Sequence, residues 1–460
     1  MTSSGVRAAR LPLSAAQREV WLAQQLAPTS LRYRVAEYLD IAGAIDAALF
    51  ERALRGAVEE AEFLRVRFFE EDGESRQVVE PRADWHFTVL DLSGEADPCA
   101  AAEAWMQAET ERPMDLARDT LFSFALLQVG PQHFLWYQGY HHIVADGFSL
   151  ALFSRRVAES YTAHVDGSRS AGTPLAPLSA LLDHDAAYRA SEQYAEDRQY
   201  WMERLADHPE PPRLASHPIH PATARIRHSA VLPRETEARL REAADKAGVR
   251  MAAVMIAAAA ALTHRLTGAP EVVLALPVSA RPGSALRGIP GMASNVLPLR
   301  LEVHPHTTLR DLAKEAAGEI RRILRHQQYR IEDMVRDLGR PGGAHELTGP
   351  QVNFMSFPYD LHFAGHPATV RNVSTGLLED LGINVFDHGG GIRITLDANP
   401  DIYDDGELAA HYRRLCALIE SLISASDLPV GGVDVLSAEE RQGVLSAGTG
   451  VVRDVPQAVL

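Results

Sequence analysis

The sequence predicts a mixed α/β fold made of two lobes, and three observations support this. Helix-period and strand-period apolar patterns alternate along 460 residues, a length suited to two or three domain-sized cores. Residues 164–179 are rich in Gly, Ser, Pro and Ala, the composition of a connector, and divide the chain. After the connector, helical patterns are again followed by strand patterns, which repeats the order of the first part.

Capping signals and apolar periodicity define the elements of the first part. Ser14 and Gln17 have the spacing of a capping box, which predicts a helix that ends near Leu26. Asp46 has the position of an N-cap for a second helix, whose apolar residues form one stripe. Alternating residues predict strands at 33–41, 63–69, 121–129 and 133–140, the last two joined by a turn at 130–131.

The second part is predicted to be built around an apolar helix. The longest apolar run, Met251 to Leu262, is shorter than the roughly 20 residues of a membrane span, so we interpret it as a buried helix. Further helices are predicted at 233–247, 308–328, 331–338 and 407–423. Strands are predicted at 271–276 and 351–357, and a hairpin turn at 389–391.

Charge and cysteine content exclude several classes of protein. Lys and Arg number 45 against 61 Asp and Glu, and this net charge of -16 repels phosphate backbones and anionic lipid. We therefore expect no nucleic acid and no membrane among the partners. Cys99 and Cys416 stand far apart and outside any CxxC motif, so no disulfide framework is expected. This cysteine usage and the lack of an apolar signal-peptide segment are typical of a cytoplasmic protein.

The segment HHIVADG, residues 141–147, carries the strongest functional signal. Neighbouring strand residues point to opposite sides, so one of His141 and His142 can face a cavity while the other packs inside. Asp146 and Gly147 form a turn directly after the strand, and a glycine permits close approach of a ligand to its N–H. A buried structural histidine is the alternative for any single His, but this block predicts a histidine at the floor of a cleft.

Metal chemistry and covalent catalysis are disfavoured by the same residues. His-His-x-x-x-Asp lacks the i, i+4 spacing of a helical zinc pair, and no second ligand cluster is near in sequence, so we expect no metal. No G-x-S-x-G elbow occurs, and neither cysteine lies in a recognisable reactive motif. Direct transfer between two bound substrates is the chemistry that remains.

The HHxxxDG block resembles that of the condensation domains of nonribosomal peptide synthetases. Four further segments resemble motifs of that family in the same order: LPLSAAQREVW (11–21), AEFLRVRF (61–68), Tyr200-Trp201 and PVSARPGSALRGIPGMASNVLPLR (277–300). The likeness extends from about residue 11 to residue 445, and LSAEERQ near its end resembles the linker to an adenylation domain.

The resemblance implies a fold and a reaction. Two lobes, each like chloramphenicol acetyltransferase, would form a V with a central tunnel. We expect an N-terminal lobe over 1–170, a C-terminal lobe over 171–445 with segments that cross to the first, and the start of the adenylation linker over 446–460. The implied enzyme is an amide-forming acyltransferase without a bound cofactor. Its substrates are thioesters on phosphopantetheine arms that partner carrier proteins supply.

The resemblance also implies roles for five residues. His142 and Gly147 are the expected catalytic residues: the imidazole would take a proton from the attacking amine or align it, and the Gly147 N–H would donate to the oxyanion. His141 is expected to pack and hydrogen-bond. Asp146 is expected to turn away from the tunnel and pair with Arg281, because a buried charge needs a partner.

Three residues match family positions near the tunnel wall, with ordinary loop structure as the alternative: Met292, Asn295 and Ser356. Both histidines of the block argue against a cyclization domain, in which aspartates replace them. The opening motif and the linker argue against an epimerization domain.

Two segments narrow the donor substrate. EYLDIAG (37–43) and VNFMSFPYDLHFAG (352–365) resemble the first condensation domains of aryl-capped siderophore synthetases. Together with the Met1 start, this implies a dihydroxybenzoyl-type donor from an aryl carrier protein in trans, an acceptor peptidyl carrier, and a following adenylation domain. Three alternatives stay open: an elongation domain with a peptidyl donor, a carrier-binding module without catalysis, and an acyltransferase that uses coenzyme A.

Overall fold

Two six-stranded sheets and one three-stranded sheet carry the fold in the computed structural model, which describes residues 9–168, 172–215, 222–340, 343–356, 360–387 and 391–448. The strands in these residues are β1 (Arg10–Pro12), β2 (Arg34–Ala42), β3 (Val66–Glu71), β4 (Glu74–Val79), β5 (Phe87–Asp91), β6 (Phe122–Gly130), β7 (His133–His141), β8 (Ile226–Val231), β9 (Glu271–Val278), β10 (Asn295–Glu302), β11 (Gln351–Met355), β12 (Leu361–Phe363), β13 (His366–Thr375), β14 (Leu381–Asp387) and β15 (Ile392–Ala398). The helices are α1 (Ala15–Leu26), α2 (Ala47–Glu60), α3 (Pro98–Thr110), α4 (Gly147–Val165), α5 (Leu178–Arg189), α6 (Glu192–Arg204), α7 (Arg234–Ala247), α8 (Met251–Thr267), α9 (Gly283–Leu286), α10 (Leu309–Ile323), α11 (Ile331–Asp337), α12 (Asp405–Ser424) and α13 (Ala438–Gly448).

The sheet of the N-terminal lobe has the order β12–β13–β2–β7–β6–β5 among the described residues. Its strands are antiparallel except for β5 and β6. Helices α2 and α4 cover one face through an aromatic core that includes Phe50, Trp136 and Phe153, and α3 covers the other. Strands β12 and β13 come from the distant second part of the chain, so this lobe is completed by a crossover.

The sheet of the C-terminal lobe has the order β10–β9–β11–β14–β15–β8 among the described residues. Helix α8 packs against it and against α10 and α12. The run from Ala253 to His264 in α8 is buried on every side, as expected for a helix that is apolar all round, which confirms the predicted buried helix. Gly248 ends α7 in the left-handed region at φ 69°, where glycine has no side chain to clash.

Local sequence signals locate the starts and the ends of most helices to within two residues, with one exception. The capping box of Ser14 and Gln17 and the N-cap at Asp46 are both present, which confirms those predictions. The helix predicted over 308–328 ends at Ile323 and continues only as a 3-10 turn, Leu324–His326. The strand predicted from residue 63 begins at Val66. Most of the predicted 389–391 turn lies outside the described residues.

Packing divides the lobes later in the chain than the predicted boundary at residue 170. Leu178 and Leu181 of α5 belong to the N-terminal core, whereas Trp201 of α6 belongs to the C-terminal core. The connector composition therefore marks a surface segment rather than the change of core. At the other end, α13 reaches Gly448, and most of the expected linker over 446–460 lies outside the described residues.

A search for membrane-spanning helices covers the same residues. No single described helix is long and apolar enough to cross a bilayer, and α7 and α8 pass by length and composition only as a pair bent by 98°.

Candidate active site

His142 directly follows strand β7 and lies where two cavities meet. Its N–H donates to the Tyr33 carbonyl at 2.7 Å, which ties the end of β7 to the start of β2. The large cavity, about 320 Å³, includes Glu19, Tyr33, Asn295, Glu332 and Glu379 in its wall. The small cavity, about 110 Å³, includes Val35, Glu37, Gly147, Leu150, Met355 and Phe386. His142 lines both, so groups that enter from the two cavities would meet at its imidazole.

The environment of His142 keeps the imidazole neutral near pH 7. Burial lowers its pKa below the usual 6.5, although the Asp146 carboxylate acts in the opposite direction. Nδ1 is buried and has no hydrogen-bond partner among the described residues. A neutral imidazole that lines both cavities can accept a proton from an attacking amine.

His141 lies on the opposite side of the backbone, inside the N-terminal lobe, and is 1% exposed. Its Nδ1 accepts a hydrogen bond from the Ile143 N–H at 3.2 Å, so the proton is on Nε2, which lies 3.3 Å from Gln24 Oε1. Burial, with smaller contributions from Arg34 and His142, lowers the pKa of His141 to about 3. His141 thus holds the turn through hydrogen bonds and carries no charge at neutral pH.

This buried histidine predicts a dependence of stability on pH. The folded chain resists protonation of His141 while the unfolded chain binds the proton below pH 6.5, so stability falls as the pH is lowered from 6.5 towards 3. His141 alone should cost about 2 kcal/mol of unfolding free energy between pH 6.5 and 5. Urea denaturation of wild type and His141→Asn at both pH values measures it. An identical pH dependence in the two proteins would contradict the assignment.

Asp146 is buried and uses both carboxylate oxygens. Oδ2 accepts from Arg281 Nη1 at 2.6 Å and from the N–H groups of Ala293 and Ser294 at 3.1 and 3.2 Å. Oδ1 caps α4 through the Ser149 N–H at 3.1 Å. Burial alone would raise the pKa of Asp146, but the Arg281 charge and these hydrogen bonds outweigh it and the pKa is lowered.

Arg281 completes this contact from the C-terminal lobe. Its side chain is fully buried, and besides Asp146 it donates to the Gly291 carbonyl at 2.7 Å. The ion pair therefore fixes the segment around Gly291 against the start of α4, immediately after the histidine turn. Asp146 also contributes to the wall of the small cavity.

The other predicted site residues lie in different environments. Gly147 is the first residue of α4, where a backbone N–H has no acceptor within its own helix, and it lines the small cavity. Met292 and Asn295 line the large cavity. The Asn295 amide donates to the carbonyls of Gln327 and Tyr329 at 3.0 and 2.9 Å, so it also holds the wall together.

Ser356 does not line the site. It is exposed and absent from the walls of both cavities, whereas Asn353 and Met355 line the small cavity. Successive residues of β11 point to opposite sides, which brings 353 and 355 to the cavity and leaves Ser356 beyond the strand end. The expected position of Ser356 on the tunnel wall is therefore taken by its neighbours Asn353 and Met355.

Sequence reasoning missed three polar residues of the cavities. Glu37 of β2 is 7% exposed and lines the small cavity, and Asn353 and Thr375 line both cavities. Glu37 and Asn353 fall within the two segments already singled out, so their positions were available as a signal. Nothing in the local sequence points to Thr375, because β13 reaches this site only through the crossover. Among the described residues, no group of three or more His, Cys, Asp or Glu could hold a metal ion.

A histidine between two cavities is suited to a reaction in which two substrates meet at its imidazole. The family model described as "Condensation domain" matches residues 7–445. The chain belongs to this family, the condensation domains of nonribosomal peptide synthetases, which are amide-forming acyltransferases.

Curated relatives agree with this assignment. The chain is 42% identical over 94% of its length to a dimodular nonribosomal peptide synthase of Bacillus subtilis, and 43% identical over 97% to an isonitrile lipopeptide synthase of Streptomyces coeruleorubidus. It is 32% identical over 93% to enterobactin synthase component F of Escherichia coli O157:H7. It spans only 18%, 30% and 33% of these proteins, in that order.

A solved structure matches the fold closely. The starter condensation domain of rhizomide synthetase, in a variant form in complex with C8-CoA and Leu-SNAC, has a TM-score of 0.87 and 41% identity. The match covers 93% of this chain and 98% of that one. The two-lobed α/β fold predicted from the sequence is confirmed by this likeness.

Proposed function

We propose that this domain joins a dihydroxybenzoyl-type acyl group, held as a thioester on an aryl carrier protein, to the amine of an aminoacyl thioester on a second carrier. The observation that carries the proposal is the position of His142 between two cavities of different size and chemistry. Each cavity would admit one phosphopantetheine arm, supplied by the carriers, and an adenylation domain would follow in the complete synthetase. Cys99 and Cys416 are free thiols, in keeping with a reaction in the reducing cytoplasm.

The small cavity suits a compact donor with polar substituents. Its volume of about 110 Å³ is of the order of the roughly 150 Å³ cavity that accommodates benzene in another protein. Val35, Leu150 and Phe386 supply apolar walls, and Glu37 and Asn353 add groups that can hydrogen-bond hydroxyls. A ring that carries hydroxyl groups would use both kinds of wall.

The large cavity suits an acceptor that brings an amine. Glu19, Glu332 and Glu379 contribute carboxylates to its wall, with Arg32 and Arg330 beside them. Burial and the nearby charge of Glu332 raise the pKa of Glu19, although Arg330 and Arg32 act in the opposite direction, so a positive charge beside Glu19 would favour its ionised form. An aminoacyl group that enters as an ammonium ion meets this requirement and can lose its proton at His142.

A medium-chain fatty acyl group is the second candidate for the donor. The similar rhizomide domain has been solved with C8-CoA, and one curated relative is a lipopeptide synthase. Enterobactin synthase component F among the relatives supports the aryl donor. We favour the aryl group because Glu37 and Asn353 make part of the small cavity wall polar, which suits a ring with hydroxyl groups better than an unsubstituted alkyl chain.

A competition assay tests this choice. The domain is mixed with an aminoacyl-loaded acceptor carrier and equal amounts of dihydroxybenzoyl-loaded and octanoyl-loaded donors, and the amides are measured by mass spectrometry. We expect the dihydroxybenzoyl amide to predominate. A predominance of octanoyl amide would transfer the assignment to the fatty acyl donor. Product from a peptidyl donor alone would identify an elongation domain, and failure with every donor would favour a carrier-binding module.

A further inference from the structure

Thr375 lies at the junction of the two cavities together with His142. Among the described residues, the two cavity walls share three side chains, His142, Asn353 and Thr375. The Thr375 hydroxyl oxygen is buried and has no hydrogen-bond partner in the described part of the chain. A buried hydroxyl without a partner destabilises the fold, so its presence at the meeting point of two substrates requires an explanation.

The backbone around Thr375 is held tightly against the strand that leads to the site. Thr375 pairs with Val35 in the register between β13 and β2. Ser374 Oγ donates to the Arg34 carbonyl at 2.9 Å and accepts from the Gly376 N–H at 3.1 Å. These contacts hold the backbone at Thr375 in place before any substrate arrives, which favours a preorganised hydrogen-bond donor at this position.

Gly376 adds a second constraint on this position. Its φ of 89° lies in the region that favours glycine, and a Cβ there would stand 2.3 Å from the Arg32 carbonyl oxygen. The Leu377 N–H donates to the same carbonyl at 3.2 Å. The chain thus turns closely around Arg32, one residue before Tyr33, whose carbonyl holds His142.

We propose that the Thr375 hydroxyl is a catalytic hydrogen-bond donor to the oxyanion of the condensation reaction, an inference that rests on the proposed function. The acceptor nitrogen attacks the donor thioester carbonyl carbon, a C–N bond forms, and the C=O π electrons move to oxygen. On collapse the C–S bond breaks, and the nitrogen's proton reaches the departing sulfur through His142, which gives amide and thiol. Thr375 keeps its proton and stabilises the charged oxygen while it exists.

Thr375→Val and Thr375→Ser test this role. Valine keeps the branched shape and removes the hydroxyl, whereas serine keeps the hydroxyl. We expect Thr375→Val to lower kcat about 100-fold with little change in KM, as for loss of a donor that acts in the transition state, and serine to retain most activity. Because valine removes an unsatisfied polar atom, the Tm of Thr375→Val should equal or exceed that of wild type.

A matched control removes another buried hydroxyl. Ser123 Oγ on β6 is also buried, and Ser123 lies outside both cavities, so Ser123→Ala should leave kcat unchanged. The donor in all assays is the one that wild type uses best. If Thr375→Val has the kcat of wild type, or if its Tm and kcat fall together, the role of Thr375 is refuted and the proposed function is not affected. Wild type inactive with every donor would overturn the proposed function and this inference together.

Discussion

His142→Ala is expected to lower amide formation by about 10²–10⁴-fold, the usual contribution of a general base or acid. The imidazole is neutral because burial lowers its pKa, and it faces both cavities. Of the three described residues that line both cavities, His142, Asn353 and Thr375, only His142 has a side chain that can take the proton of the attacking amine. The rate of amide formation with saturating carriers, followed by mass spectrometry, measures the loss.

Two further variants make this result specific. His133→Ala removes a partly exposed histidine at the other end of β7 and should retain full activity. His142→Gln keeps an amide that can align the amine but cannot take its proton. If the glutamine variant is as slow as the alanine variant, the dominant role of His142 is proton transfer. If the glutamine variant recovers most of the activity, the dominant role is alignment of the amine. An active His142→Ala protein would refute a catalytic role for the imidazole.

Loss of one partner of the Asp146–Arg281 pair is expected to destabilise the fold by about 3–5 kcal/mol, because it leaves a buried charge unpaired. Arg281→Met removes the guanidinium, and Asp146→Asn keeps an oxygen for the Ser149 N–H while it removes the charge. Urea denaturation gives the unfolding free energy of each variant. The pair joins α4 to the segment near Gly291, so activity should fall as well.

The double variant measures the interaction between Asp146 and Arg281 separately from the other contacts of the two side chains. Asp146→Asn combined with Arg281→Met should lose less stability than the sum of the two single losses, because neither charge is then left alone. Lys246→Met breaks an exposed pair with Glu242 and should leave the denaturation midpoint unchanged. Strictly additive losses at 146 and 281 would show that the two residues do not depend on each other.

Local sequence was sufficient to predict the central part of the site. A strand followed directly by a turn presents His141 and His142 to opposite sides, and this outcome depends on backbone geometry alone. The cap at Asp46 and the capping box at Ser14 likewise depend on residues within one helical turn. The position of Arg281 came from the family resemblance, because no local signal links it to Asp146.

Long-range pairing explains what the sequence left out. Thr375 lies near His142 because β13 joins the N-terminal sheet beside β2, and no periodicity within β13 reports that pairing. The packing of Leu178 into the first core was equally hidden, since the connector composition reflects exposure and not the identity of the core. Ser356 was expected at the tunnel wall but lies beyond the end of β11. The alternation of side chains along a strand does not show where the strand ends, so the sequence could not exclude this residue.

The insertion of β13 beside β2 also bears on how the protein is synthesised. Strand β2 ends at Ala42, and its partner is complete only at Thr375, so at 5–20 residues per second the ribosome needs roughly 20–70 s to supply it. During that time the edge of β2 offers unpaired N–H and carbonyl groups to any neighbouring chain. The N-terminal sheet lacks two of its six strands until then, so a synthetase rebuilt by exchange of lobes should transfer residues 361–375 together with the lobe that they complete.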